Sequence, residues 1–148
     1  MKYSVGHTGR VILVRLDEED DVLATLKAIA EKERIQSALF FMIGNLKKGS
    51  LVSGAEKEEI PVTPLWSHFK NNHEILGIGT IFQMDGQPKI HLHTALGRGE
   101  KSLIGCLREK SKVFLLSEIV VLKLLGIEAL REKDERTGLA LLKIGQKF

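Results

Sequence analysis

Between Glu74 and Leu96 the sequence reads E-I-L-G-I-G-T-I-F-Q-M-D-G-Q-P-K-I-H-L-H-T-A-L, two apolar segments on either side of Asp85-Gly86. Asp and Gly accept the left-handed backbone that a tight turn demands, so residues 74–83 and 88–96 are predicted to form an antiparallel hairpin. Gly77 and Gly79 alternate on the first strand and leave one of its faces open to close approach by a neighbour. They are not a dinucleotide-binding motif, because no third glycine follows at the required place and no helix begins there.

The rest of the chain reads in the same way. G-R-V-I-L-V-R-L at 9–16 is β-branched and alternating, with Arg15 unusual in such a run. D-E-E-D-D-V-L-A-T-L-K-A-I-A-E-K-E-R at 17–34 is the clearest helix, with an acidic start and with Val22, Leu26, Ile29 and Ala30 at helical spacing. Residues 35–54 read as a buried strand, a bend near Gly44, and a continuing or returning strand. Residues 60–72, punctuated by Pro61 and Pro64, read as a loop carrying Trp66 and His68. S-K-V-F-L-L-S-E-I-V-V-L-K-L-L-G at 111–126 is long enough for a helix, but its β-branched and aromatic bias favours a long strand. A turn through Arg136-Thr137-Gly138 leads to one last short strand. Several antiparallel strands and one helix make an α+β fold, a single domain over 1–148.

Composition narrows the function classes. The chain has 148 residues, enough for one substantial core without disulfides. No apolar run reaches the roughly 18 residues of a membrane-spanning helix, and M-K-Y-S-V-G-H-T-G-R carries no apolar signal-peptide region. A lone cysteine suits a reducing compartment, so a cytoplasmic location is expected. The net charge is +3, and the signs are interleaved, as in R-E-K-D-E-R at 131–136. A nucleic-acid binder more often gathers its bases on one stripe. Composition alone therefore argues against DNA binding by a single chain.

The chemistry concentrates in K-I-H-L-H-T-A-L-G-R-G-E-K-S-L-I-G-C-L at 89–107. On a strand, His91 and His93 share a face, about 6–7 Å apart. If L-I-G-C-L folds back beside them, the Cys106 thiol completes three nitrogen and sulfur donors, a set that suits zinc and leaves a fourth position open. The competing reading is a strand that holds two histidines beside a buried, inert thiol. Spacing alone does not decide between them.

Taken in order, V-R-L, I-G-N-L, E-I-L-G-I-G-T-I, K-I-H-L-H, I-G-C-L, S-E-I-V-V and D-E-R-T-G-L resemble the plants-and-prokaryotes conserved (PPC) domain, over about residues 5–142. The resemblance implies an α+β fold whose central, largely antiparallel sheet is flanked by helices, and a homotrimer. It also implies a zinc site at His-x-His followed by Gly-His-Leu. His91 and His93 match the pair, while Cys106 stands where the family has its third histidine. Zinc is then the implied cofactor, with cysteine as an altered third donor. Glu74 matches the family's E-I-L motif and is a candidate base or ligand-orienting carboxylate. Arg15, Asn45 and Glu118 fall at polar positions of the pattern and are site or interface candidates. His7, His68 and His73 match no motif and read as surface residues.

Two functions follow from the resemblance. The first is a non-catalytic, trimeric regulatory or partner-binding module. DNA enters only by family association, and no AT-hook is present: Gly97-Arg98-Gly99 continues into Glu100 without a proline or a basic cluster. The alternative is a small metal-dependent enzyme or ligand-binding protein that uses His91, His93 and Cys106.

Overall fold

Asp85 and Gly86 both adopt positive φ, 52° and 74°, in a two-residue turn that joins β3 (Pro64–Met84) to β4 (Gln87–Arg98). The strands pair antiparallel without a break from Met84↔Gln87 to Glu74↔Gly97. This hairpin sits inside a computed structural model that describes residues 1–145. The other elements are β1 (His7–Asp17), α1 (Val22–Lys32), β2 (Ser37–Ala55), β5 (Lys101–Leu107), β6 (Lys112–Leu125), β7 (Ala129–Lys133) and β8 (Ala140–Ile144).

The α+β expectation, a sheet flanked by helices, is overturned. The described residues are 66% strand and 8% helical, with one 11-residue helix and one mixed eight-stranded sheet. Two features account for the difference. Residues 60–72 are not one loop, because β3 starts at Pro64, where a strand can begin without an amide hydrogen, and pairs with β2 from Val52↔Trp66 onward. The long apolar segments outside 17–34 enter the sheet, and no second helix packs on it among the described residues. The helix itself is shorter than its charge pattern suggests. Asp21 caps it, accepting from the Ala24 amide at 3.1 Å, so the acids at 17–20 precede the first turn.

Strand order is β1-β6-β2-β5-β4-β3-β7-β8, with an additional β2–β3 pairing. That extra pairing closes β2, β3, β4 and β5 into a ring, since the end of β2 pairs with β5 at Leu51↔Leu107 and Val52↔Cys106. β3 meets β7 in parallel at Gln83↔Leu130, the one parallel contact among the described strands. Alternation then sorts the side chains. Ala38, Phe40 and Met42 of β2 point into the core with Ile81, Leu92, Leu96, Ile119 and Val121, and α1 adds Val22, Leu26 and Ala30.

β2 runs through Gly44 without ending, and the reason for glycine there is steric. Its φ is +133°, and a Cβ would lie 2.5 Å from the Ser117 Cα and 2.7 Å from the Leu116 carbonyl oxygen. Gly79 serves the close approach expected of it: a Cβ there would meet the Phe40 ring at 2.2 Å. Gly44→Ala should lower stability by about 2–4 kcal/mol, read as a shift of the urea midpoint. An unchanged midpoint would mean that β2 and β6 are not packed at this distance.

Candidate metal centre

His91 and His93 project from the same face of β4, and the sheet register sets Cys106 of β5 directly opposite His93. The strand partners of the two histidines on β3 are Thr80 and Ile78. One donor atom from each of His91, His93 and Cys106 lies within 4.8 Å of the others. The Nε2 atoms of the two rings are 3.1 Å apart. Two imidazole nitrogens on one tetrahedral zinc would be about 3.3 Å apart, so the histidine pair already has nearly the required bite.

An arginine that the sequence hides among alternating charges completes the surroundings. Arg131 of β7 donates from Nη2 to His91 Nδ1 at 3.0 Å and to Thr80 Oγ1 at 3.2 Å, and from Nη1 to the Ala140 carbonyl at 3.0 Å. A guanidinium can only donate, so His91 Nδ1 is the acceptor and the ring's single hydrogen sits on Nε2, shared toward His93. Burial first, then the positive charges of Arg131, His93, Arg108 and Lys89, push the His91 pKa down to about 4. His91 is therefore neutral at pH 7, the form a metal ligand needs. Cys106 is 7% exposed, and burial raises its thiol pKa against the opposing pull of Arg108 and Arg131.

The other sequence candidates are not drawn into this cluster. Glu74 pairs with Gly97, four residues along the hairpin from the Ile78–His93 pair, and it is exposed. Arg15 is exposed, ion-paired with Asp17 at 3.0 Å and opposite Glu118 in register. Asn45 is half-buried opposite Glu74, and its carbonyl accepts from Ser117 Oγ at 3.3 Å. All four share one feature with the cluster. By register and alternation they lie on the sheet face turned away from the core.

His7 and His68 are exposed, and His68 stacks on Trp66 with ring planes 8° apart. His73 is half-buried, its Nδ1 2.9 Å from the Asn71 carbonyl oxygen. No sequence signal marks Arg131 as a site residue. Its place depends on the β3–β7 contact, which no local pattern announces.

The Plants and Prokaryotes Conserved (PCC) domain family matches residues 3–125, and the chain belongs to that family. Among solved structures, a plant- and prokaryote-conserved (PPC) protein from Pyrococcus horikoshii is 28% identical, with a TM-score of 0.85 over 99% of this chain and 100% of that one. A metal-containing protein from Archaeoglobus fulgidus is also 28% identical, with a TM-score of 0.82 over 95% of this chain and 98% of that one. A candidate DNA-binding protein from Ralstonia eutropha JMP134 is 23% identical, with a TM-score of 0.75 over 90% of each chain, and shares the fold. No functionally curated protein matches the sequence. No helix among the described residues is long and apolar enough to cross a membrane.

The depressed His91 pKa has a consequence for the metal-free protein. Below about pH 6.5 the unfolded chain takes up a proton on His91 that the folded chain refuses until about pH 4. Stability should therefore fall as pH drops across that window, and His91→Asn should flatten the decline in urea titrations of metal-free protein. An equally steep decline in the variant would assign the loss to other groups.

Proposed function

We propose that the chain is a zinc-binding, homotrimeric module whose outer sheet face is its assembly surface and whose His91, His93 and Cys106 bind the ion. The observation that carries this reading is the outer face itself. Val11, Leu13, Phe41, Ile43, Leu76, Ile78, Ile104 and Val120 are 37–76% exposed. Register joins all of these but Val11 into continuous rows, Leu13–Val120–Phe41–Ile78–His93–Cys106 and Arg15–Glu118–Ile43–Leu76–Ala95–Ile104. A connected apolar surface of this kind marks a place where protein covers protein. Arg15 and Glu118, set within it, are opposite charges suited to pairing between neighbouring copies of a ring and so fixing their register. The number three rests on the family resemblance.

The donor set fits zinc, with one internal adjustment. Both Nε2 atoms must present lone pairs, so His91 has to move its hydrogen to Nδ1 and Arg131 has to release that nitrogen. The buried thiol must also give up its proton, so loading releases acid. When bound, the ion supplies structural cross-linking between β4 and β5 and a Lewis-acidic fourth position.

A regulatory or partner-binding role follows from the exposed platform, and the lone buried thiol is suited to a reducing cytoplasm. DNA is the weaker candidate partner, because the charges are mixed and no AT-hook is present. The second reading, a small metal-dependent enzyme, is favoured by the open fourth position. Against it, the cluster contains no carboxylate to act as a base.

Metal analysis and light scattering test the proposal together. The wild type should run as a trimer and hold about one zinc per chain, and His93→Ala with Cys106→Ser should weaken zinc binding at least about tenfold. Ile43→Glu should give a folded monomer, since Ile43 is 54% exposed in the isolated chain. A monomeric wild type would end the assembly claim. Equal zinc in wild type and double variant would end the metal claim.

A further inference from the structure

A cleft of about 670 Å³ opens where the N-terminal turn of α1 faces the start of β4 and the end of β5. Its volume is that of a small-molecule site. Lys27, Lys89, Arg108 and Lys110 line it, against Asp21 and Glu109. The acids do not balance the bases. Asp21 is occupied in capping α1 and lies 3.9 Å from Lys112 Nζ. Lys27 has its own partner, Glu31, at 3.8 Å. Among the described residues, Lys89, Arg108 and Lys110 form no ion pair with a carboxylate. The Arg108 Nε is buried and has no hydrogen-bond acceptor. A buried guanidinium N–H without an acceptor costs free energy, and an oxyanion is the group that would remove that cost.

The same cleft has an aromatic wall. Trp66, the chain's one tryptophan, lines it and is 52% exposed. Its stack with His68, ring centroids 6.4 Å apart, braces the indole from one side. In register, Trp66 lies opposite Val52, which lies opposite Cys106, so the cleft adjoins the metal cluster without sharing its donors.

We propose that this cleft binds a phosphate-bearing small molecule with a flat ring, a mononucleotide by class, its phosphate on Arg108 and Lys89 and its ring against Trp66. The positive groups select the anion, and the indole face selects a ring without reading its edge. The reading does not depend on zinc, and it predicts binding by metal-free protein.

Trp66 is its own reporter. Adenosine 5′-monophosphate should change the tryptophan fluorescence of the full chain saturably, with adenosine and inorganic phosphate each at least about tenfold weaker, because each keeps only one of the two contacts. Arg108→Gln should weaken the monophosphate at least about tenfold. Lys89→Gln, on an exposed residue, should do the same in a background where folding is not at issue. The absence of a saturable response, or unchanged affinity in Lys89→Gln and in a folded Arg108→Gln, overturns the proposal. Inorganic phosphate binding as tightly as the nucleotide overturns the ring contact. A response to single-stranded oligonucleotide but not to the monophosphate overturns it in favour of nucleic acid.

Discussion

The double pairing of β2 organises the molecule. Its length lets it pair with β3 from Ser37↔Phe82 to Ala55↔Pro64, while its other edge serves β6 and then β5. Without Leu51↔Leu107 and Val52↔Cys106, β5 would have a free edge beyond its pairing with β4, whose own register sets Cys106 across from His93. Closing the ring by backbone hydrogen bonds removes that edge. The core then follows from alternation. One face of each strand fills the space under α1, and the other face is left outward.

The outward face carries the candidate site residues. It holds a connected apolar surface and, set into it, two histidines beside a buried thiol. Burial of Cys106 and of half of His91 keeps both neutral, while Arg131, Arg108 and Lys89 make their surroundings positive. Arg108 and Lys89 also line the cleft beside Trp66. The His91/His93/Cys106 cluster and the proposed anion cleft are thus neighbours along one row of the sheet.

Much of this was legible in particular residues. Asp85-Gly86 announces the hairpin because few residues other than glycine, aspartate and asparagine enter left-handed backbone cheaply. The His91/His93 face follows from the two-residue period of a strand. The acidic run before Val22 marks the helix, although the cap at Asp21 and not the run sets its start. The segment from Pro64 to Asn72 reads as a loop because proline and lone polar residues are turn signals. Its pairing with β2 is a long-range event that those signals do not carry. The flanking helices of the resemblance fail here because the remaining apolar segments find strand partners.

Sequence by itself determined what is periodic or local: which side chains share a strand face, where the tight turn falls, where the helix lies, and which donor types are available. Tertiary structure decided what depends on register between distant segments. The arrival of Arg131 from β7 at His91 Nδ1 and the wall that Trp66 gives to the cleft are both of this kind. The physical reason is that a strand's alternation is written in its own residues. Its partner and its offset are settled only by closing long loops against the packing of the whole core.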